Sequence, residues 1–223
     1  MPRRIDLEQW NDAMYLAHPT PYFNRIAGII EQSRLKDVAA FASVATDDSL
    51  IELGCEQGIL LASLPKSRRM VGVDISNVAL TDARRRLGRR VELIQADVEK
   101  PLNVVKEKFD VVICSQLLEH VADPKAVMEN IKKLAKDEAR VVISVPNELF
   151  MLRMKRFLRR LGFLQLLFPG IEEGVSEWHL QVFTQRKVER LLRKDFMICQ
   201  TRHPFNVYLV YLLKKFRAST EES

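Results

Sequence analysis

Leu-Ile-Glu-Leu-Gly-Cys-Glu-Gln-Gly, residues 50–58, is the stretch that decides the fold of this chain. Its apolar start is long enough for a buried strand, its glycines predict a turn, and the residues that follow favour a helix. A second apolar run, Met70 to Val73, ends on Asp74, twenty residues after Gly54. A glycine turn between strand and helix, with an acid closing the next strand, is typical of α/β sheets that bind an adenosine. The pattern therefore predicts an enzyme with a nucleotide-type cofactor.

The spacing of the glycines argues against a dinucleotide. That fingerprint needs glycine at the first, third and sixth positions, and the third and sixth from Gly54 are Glu56 and Ile59. A diphosphate at the helix N-terminus would also be repelled by the carboxylate of Glu56. S-adenosylmethionine (SAM) has no phosphate and carries a cationic sulfonium and ammonium, so acids at Glu52 and Glu56 suit it.

Residues 52–58 resemble the first motif of class I SAM-dependent methyltransferases, acid-x-Gly-x-Gly-x-Gly, with Glu56 replacing the middle glycine. Further motifs follow in the family's order: a third strand ending at Asp97, an apolar fourth strand from Phe109, and the loop 115–121 after it. The segment 179–184 is similar to a His-x-x-x-Phe-Thr segment of small-molecule members, of the methyltransferase type 11 or ubiquinone-biosynthesis-like kind. The resemblance covers roughly residues 49–213.

The resemblance implies a set of cofactor-binding residues. Asp74 would accept hydrogen bonds from the ribose hydroxyls and Asp97 would bind the adenine amine. The reaction would use SAM and release S-adenosylhomocysteine (SAH). The implied cofactor-binding residues are Glu52, Gly54, Cys55, Glu56, Gly58, Asp74, Ile75, Ala96, Asp97, Val98, Ser115, Gln116 and His120.

Alternating strands and helices predict an α/β fold with a Rossmann-like, seven-stranded, mostly parallel sheet and helices on both faces. The last two apolar runs, Phe196 to Cys199 and Val207 to Leu213, leave no room for a crossover helix, so we expect an antiparallel C-terminal hairpin. A helix from Asp123 to about Lys136 and a fifth strand from Arg140 to Asn147 precede it. We predict one domain, 1–223, made of an N-terminal helical cap (1–45), a SAM-binding core (46–147), a lid or substrate insertion (148–182) and a C-terminal helix and hairpin (183–216).

Composition limits the partners and the compartment. Three widely spaced cysteines and a charged N-terminus predict a reducing, cytoplasmic location without disulfides or a signal peptide. The net charge of +6 and the arginines between Arg84 and Arg90 make nucleic acid a rival partner. These arginines end a predicted helix, where cations interact favourably with its dipole, and no aromatic residues alternate with them. A nucleic-acid partner is therefore disfavoured.

The insertion after strand five has the least generic sequence. Apolar residues at helical spacing, such as Phe150, Phe157 and Leu161, oppose a cluster of cations that includes Lys155. Three interpretations stay open: a lid over the acceptor, a basic amphipathic helix (149–168) in peripheral contact with a membrane, and a helix that packs on the core. The first two are compatible, because an acceptor taken from a bilayer would need both.

Methyl transfer needs a general base only when the nucleophile starts protonated. His179 and His120 are the catalytic candidates, beside Glu172, Glu173 and Glu177, although an orienting or packing role for each histidine stays open. Glu119 and His120 have metal-binding side chains, but two adjacent residues do not define a metal site, so we predict none. On the N-terminal helix, Tyr22 and Arg25 either contact the ligand or serve packing and solvation.

Taken together, these features predict a SAM-dependent methyltransferase that acts on a small, apolar or amphiphilic acceptor. An RNA or protein methyltransferase and a catalytically idle SAM-binding scaffold are the alternatives.

Overall fold

The computed structural model describes residues 7–17, 25–168, 171, 174–176 and 178–216. A seven-stranded sheet with the order β3-β2-β1-β4-β5-β7-β6 runs through this part of the chain. Strands β1 to β5 are parallel to one another, and β7 is antiparallel to both β5 and β6. The predicted fold class and its antiparallel C-terminal hairpin are confirmed. The strands are β1 (Ser49–Leu53), β2 (Arg69–Asp74), β3 (Glu92–Gln95), β4 (Phe109–Ser115), β5 (Ala135–Pro146), β6 (Phe196–Arg202) and β7 (Tyr208–Lys215).

Four of the helices described, α4, α5, α6 and α8, begin at a residue whose side chain caps them. Ser76 accepts a hydrogen bond from the backbone of Ala79 at the start of α4, and Asp123 does the same for α5 ahead of Pro124. The helices are α1 (Leu7–Ala17), α2 (Arg25–Ala42), α3 (Ile59–Ser63), α4 (Asn77–Leu87), α5 (Pro124–Leu134), α6 (Glu148–Arg160), α7 (Leu164–Leu167) and α8 (Gln185–Leu192). Short 3-10 turns lie at Gly88–Arg90 and Pro204–Asn206. None of the helices described is long and apolar enough to cross a bilayer.

Two buried apolar clusters lie on opposite faces of the sheet. Side chains of α5 and α8, such as Met128 and Leu192, pack on one face. Side chains of α2, α3 and α4, such as Phe41, Leu61 and Leu80, pack on the other. Burial of apolar surface on both faces is the main force that stabilises such a sheet.

One boundary differs from prediction. Strand β5 begins at Ala135, where a helix was expected to continue to about Lys136. Ala135 pairs with Phe109 of β4, and the Lys136 ammonium lies 2.7 Å from the Asp110 carboxylate. These contacts with the neighbouring strand favour the extended conformation over another helical turn.

Candidate functional site

The loop between β1 and α3 has the backbone of a glycine cradle. Gly54 and Gly58 both have φ of +74°, and the N–H groups of Gly54 and Cys55 donate to the Val73 carbonyl at 2.8 and 3.0 Å. A Cβ atom on Gly54 would lie 2.9 Å from Leu117. Glu56, which replaces the family's middle glycine, also has a positive φ, +46°. The chain therefore keeps a glycine-like turn there, at a conformational cost of about 1–2 kcal/mol.

The Asp74 carboxylate joins this loop to the end of β2. Its Oδ2 accepts a hydrogen bond from the backbone N–H of Glu56 at 2.8 Å, and its Oδ1 accepts one from Ser76 at 2.9 Å. Burial raises the pKa of Asp74, and these backbone donors oppose that effect. Each carboxylate oxygen has two lone pairs, so ribose hydroxyls can still be accepted.

Glu52 is a buried acid with unused hydrogen-bonding capacity. The residue is 3% exposed, and its Oε2 has no hydrogen-bond partner among the described residues. Burial raises the pKa of Glu52 to about 8, although the charge of Arg34 opposes the shift. A buried carboxylate of this kind is stabilised by a bound cation. The site therefore fits the cationic methionine part of SAM.

Arg34 of α2 reaches the same site. Its Nε donates to Glu31 at 3.0 Å, its guanidinium also contacts the Ser115 hydroxyl, and it lies 5.5 Å from the centroid of the Tyr208 ring. Sequence reasoning missed this residue. The available signal was a cation at position 34, in line with buried Val38 and Phe41 on one helical face.

Arg25 and Tyr22 of the N-terminal cap were also named as possible ligand contacts, and the structure describes one of the two. Arg25 is exposed at the start of α2, which agrees with the solvated alternative. Tyr22 lies outside the described residues, as do the acidic candidates Glu172, Glu173 and Glu177.

The structure brings the two candidate catalytic histidines together. The rings of His120 and His179 meet edge to face with centroids 5.0 Å apart. His120 Nδ1 lies 3.0 Å from the carbonyl oxygen of Trp178, and His179 Nδ1 lies 2.5 Å from Glu148 Oε1. Burial and the charge of His179 lower the pKa of His120 to about 4, so its ring is neutral at neutral pH.

Glu119 adds a third donor to this pair. It is buried, its Oε2 has no hydrogen-bond partner within the described part of the chain, and burial raises its pKa to about 7. One ligand atom from each of Glu119, His120 and His179 lies within 4.8 Å of the others. Carboxylate and imidazole together are suitable ligands for a divalent metal ion. The sequence pointed to Glu119 and His120 as metal-binding side chains and to His179 only as a catalytic candidate, and the prediction of no metal site stays a prediction.

The remaining predicted cofactor residues have mixed surroundings. Cys55 and Val98 are core side chains, so only their backbone is available to a ligand. Asp97 accepts from the backbone of Glu99 at 2.9 Å and pairs with Lys100 at 3.1 Å, and its contact with adenine stays a prediction. The other members have hydrogen-bond partners nearby: Ala96 N–H donates to the Asp74 backbone carbonyl, the Ile75 carbonyl accepts from the Gln95 side chain, and Gln116 Nε2 donates to the Ser144 hydroxyl.

The insertion exposes apolar as well as basic side chains. Five apolar residues of α6, α7 and the residues joining them are between 42% and 73% exposed: Leu149, Phe157, Leu161, Phe163 and Leu166. The arginines are exposed too: Arg153, Arg156, Arg159 and Arg160. Lys155, which was expected in the basic cluster, is instead buried. Its ammonium donates a hydrogen bond to the carbonyl of Gly174 at 2.9 Å.

Known proteins resemble this chain over most of its length. A family model described as "Methyltransferase domain" matches residues 24–195. The ubiquinone biosynthesis O-methyltransferase of Aliivibrio fischeri (strain MJ11) is 33% identical over 152 residues, which are 66% of this chain and 63% of that protein. The enzyme of the same name from Hahella chejuensis is 27% identical over 157 residues, covering 69% and 64%. The chain thus spans slightly less than two thirds of the length of these relatives.

Solved structures share the fold at low identity. The N-methyltransferase NodS from Bradyrhizobium japonicum, in complex with SAH, matches 94% of this chain and 98% of its own, with a TM-score of 0.67 and 16% identity. The magnesium protoporphyrin IX methyltransferase from Synechocystis, with bound SAM, matches 97% and 100%, with a TM-score of 0.68 and 14% identity. The predicted resemblance to class I SAM-dependent methyltransferases, with SAM as cofactor, is confirmed.

Proposed function

Because the chain belongs to the family of methyltransferase domains, we propose that it transfers a methyl group from SAM to a hydroxyl of a small, amphiphilic acceptor. The observation that carries this proposal is the arrangement at the carboxyl ends of the strands. A glycine cradle with the buried acid Glu52 lies beside β4, and the paired rings of His120 and His179 lie in the segments after β4 and β5.

Each part of the cofactor is bound by a different residue of the site. Asp74 accepts the ribose hydroxyls and Asp97 accepts from the adenine amine. Glu52 pairs with the ammonium, and Arg34, whose guanidinium is buried on the same side, pairs with the carboxylate. When bound, SAM supplies a methyl group on a cationic sulfur that departs as a neutral thioether.

His179 acts as the general base for the acceptor. The acceptor oxygen gains the methyl group and loses its proton, and Nε2 of His179 accepts that proton before releasing it to water. Glu119 and His120 complete the polar side of the acceptor site. A divalent ion on these three side chains would be an alternative to this base, because it would occupy the lone pair of His179 and itself lower the pKa of the acceptor hydroxyl. Adding a chelator to the assay distinguishes the two.

The nature of the acceptor follows from the relatives and from the insertion. The relatives are named as O-methyltransferases of ubiquinone biosynthesis. Together with the exposed apolar side chains of α6 and α7, this supports a phenol that carries an apolar chain. The protein would then be cytoplasmic, with peripheral contact between residues 149–168 and the membrane that contains the acceptor.

A nucleic-acid substrate has less support. Arginines at the end of α4 have protein partners: Arg86 donates to the carbonyl of Gln57 at 3.0 Å, and Arg85 pairs with Asp82 at 3.0 Å. Arg90 donates to the carbonyl of Leu64. These contacts give three of the arginines partners within the protein, although Arg84, Arg85, Arg86 and Arg89 are exposed.

Methyl transfer from isotopically labelled SAM tests the proposal. The acceptors would be catechols with and without an alkyl chain, alkylamines, and total RNA, each with and without a chelator. We expect labelled product from the alkylated catechol, and a large loss of turnover in His179→Gln but not in the control His203→Gln, whose side chain is exposed. SAM binding without transfer to any acceptor would favour the idle scaffold, and labelled RNA would favour the nucleic-acid alternative.

A further inference from the structure

Glu148 lies at the start of the insertion, and His179 lies near its end. Glu148 is the first residue of α6, directly after the helix-capping Asn147, and its side chain is only 3% exposed. Its Oε1 lies 2.5 Å from Nδ1 of His179, 31 residues further along the chain. The pair therefore connects both ends of the insertion at the acceptor side of the site.

The chemistry of the contact determines which nitrogen of His179 carries the proton. An ionised carboxylate can only accept a hydrogen bond, so Nδ1 must donate. In the neutral ring, Nε2 is then left with a lone pair. Although burial lowers the pKa of His179, the hydrogen bond from Glu148 and the charges of Glu119 and Glu148 raise it overall. A carboxylate in this position also makes the imidazole a stronger base or ligand.

The neighbouring ring is fixed in the same way. The carbonyl oxygen of Trp178 can only accept, so Nδ1 of His120 donates across the 3.0 Å contact and its Nε2 is also unprotonated. The two rings, each held through Nδ1, have centroids 5.0 Å apart, and one ligand atom of each lies within 4.8 Å of a carboxylate oxygen of Glu119.

We propose that Glu148 is a positioning residue that holds His179 in the Nδ1–H tautomer and leaves Nε2 free to act on the acceptor. The part of this inference that concerns the acceptor rests on the proposed function, whereas the tautomer does not. Glu148 was absent from the residues predicted from the sequence, because its contact partner is distant in the chain.

Long-range proton–nitrogen NMR of protein labelled at its four histidines measures the tautomer directly, without any acceptor. The His179 signals are assigned by their loss in His179→Gln. At a pH above the titration of His179 itself, which the same signals report, the ring is neutral and we expect the Nδ1–H pattern in the wild type. Glu148→Met, which removes the acceptor, should lose that pattern, and Glu148→Gln, whose carbonyl still accepts, should retain it. SAH affinity should stay the same in folded variants.

A wild-type His179 with its proton on Nε2 would overturn the inference, and so would an unchanged Nδ1–H pattern in folded Glu148→Met. The wild-type spectrum decides the question even if that variant does not fold. Where an acceptor is turned over, kcat of Glu148→Met should fall about 10- to 100-fold with little change in KM. If the tautomer is as stated but no acceptor is methylated, the proposed function fails and the role of Glu148 in fixing the ring stands.

Discussion

Asp74 accepts a 2.8 Å hydrogen bond from the backbone N–H of Glu56, which connects the end of β2 to the glycine loop after β1. The same carboxylate is the expected partner of the ribose hydroxyls. It therefore has two tasks, to fix the conformation of the loop and to bind the ligand that the loop surrounds.

Replacing Asp74 should weaken cofactor binding while the fold persists. Asp74→Ala removes the ribose acceptor and leaves the N–H groups of Glu56 and Ser76 without their partner, so we expect a loss of about 1–3 kcal/mol in SAH affinity. Calorimetric titration measures this, with Asp137→Ala as control because the Asp137 side chain is 92% exposed on β5. Unchanged SAH affinity in a folded Asp74→Ala protein would contradict the ribose assignment.

Gly58 should be less tolerant of a side chain than Gly162. Both have positive φ, +74° and +73°, so alanine strains either backbone by a similar amount. At Gly58 the new Cβ would also lie 2.5 Å from Leu87 Cδ1, whereas nothing lies within 4 Å of it at Gly162. We expect Gly58→Ala to lose about 1–3 kcal/mol more free energy of unfolding than Gly162→Ala, measured in urea. Equal losses would show that the loop does not pack on α4 as described.

The raised pKa of Glu52 predicts that SAM binding depends on pH. The carboxyl has a pKa of about 8 in the free protein, so it is mainly protonated at neutral pH and must lose its proton to pair with a cation. SAM affinity of the wild type should therefore rise with pH between 6 and 8, by up to about tenfold per pH unit. The contribution from the titration of SAM itself is separated by comparison with Glu52→Gln, because the pH dependence caused by Glu52 should be absent from that variant. Parallel pH profiles of the two proteins would refute it.

The insertion should bind anionic membranes through its arginines and exposed apolar side chains. In sedimentation with anionic vesicles, the wild type should pellet more than Arg156→Glu/Arg159→Glu, because each cation near such a surface contributes about 1 kcal/mol. The double variant Arg84→Glu/Arg89→Glu makes the same charge change on and just after α4 and should pellet like the wild type. Equal pelleting of all three proteins, or none, would remove the membrane proposal.

Much of the fold was predictable because its signals are local. Apolar runs gave the strands, and Asp123 marked a helix start that the structure confirms with side-chain hydrogen bonds. The conformation of the loop at Glu56 was harder to predict, because a residue other than glycine does not indicate a positive φ. Glu56 has one nevertheless. The hydrogen bond from the Glu56 N–H to Asp74 contributes to holding that conformation.

The site was predictable where it lies at strand ends and not where it depends on long-range contacts. His120 and His179 were both identified, but their approach to 5.0 Å and the role of Glu148 follow from how the insertion folds back. Arg34 was assigned no role and Lys155 a surface role, because cations are usually exposed. Both side chains are buried, and each has a hydrogen-bond partner.

The most direct test of the account is calorimetric titration of the purified protein with SAM and SAH, with NAD as control. The account predicts micromolar binding of both sulfur compounds and no binding of NAD, because the cradle at Gly54 and Gly58 lies beside the buried acid Glu52, which suits a cation, and because its glycine spacing does not match the dinucleotide fingerprint. Binding of NAD that SAM cannot displace, or no binding of SAM and SAH to the folded protein, would contradict it.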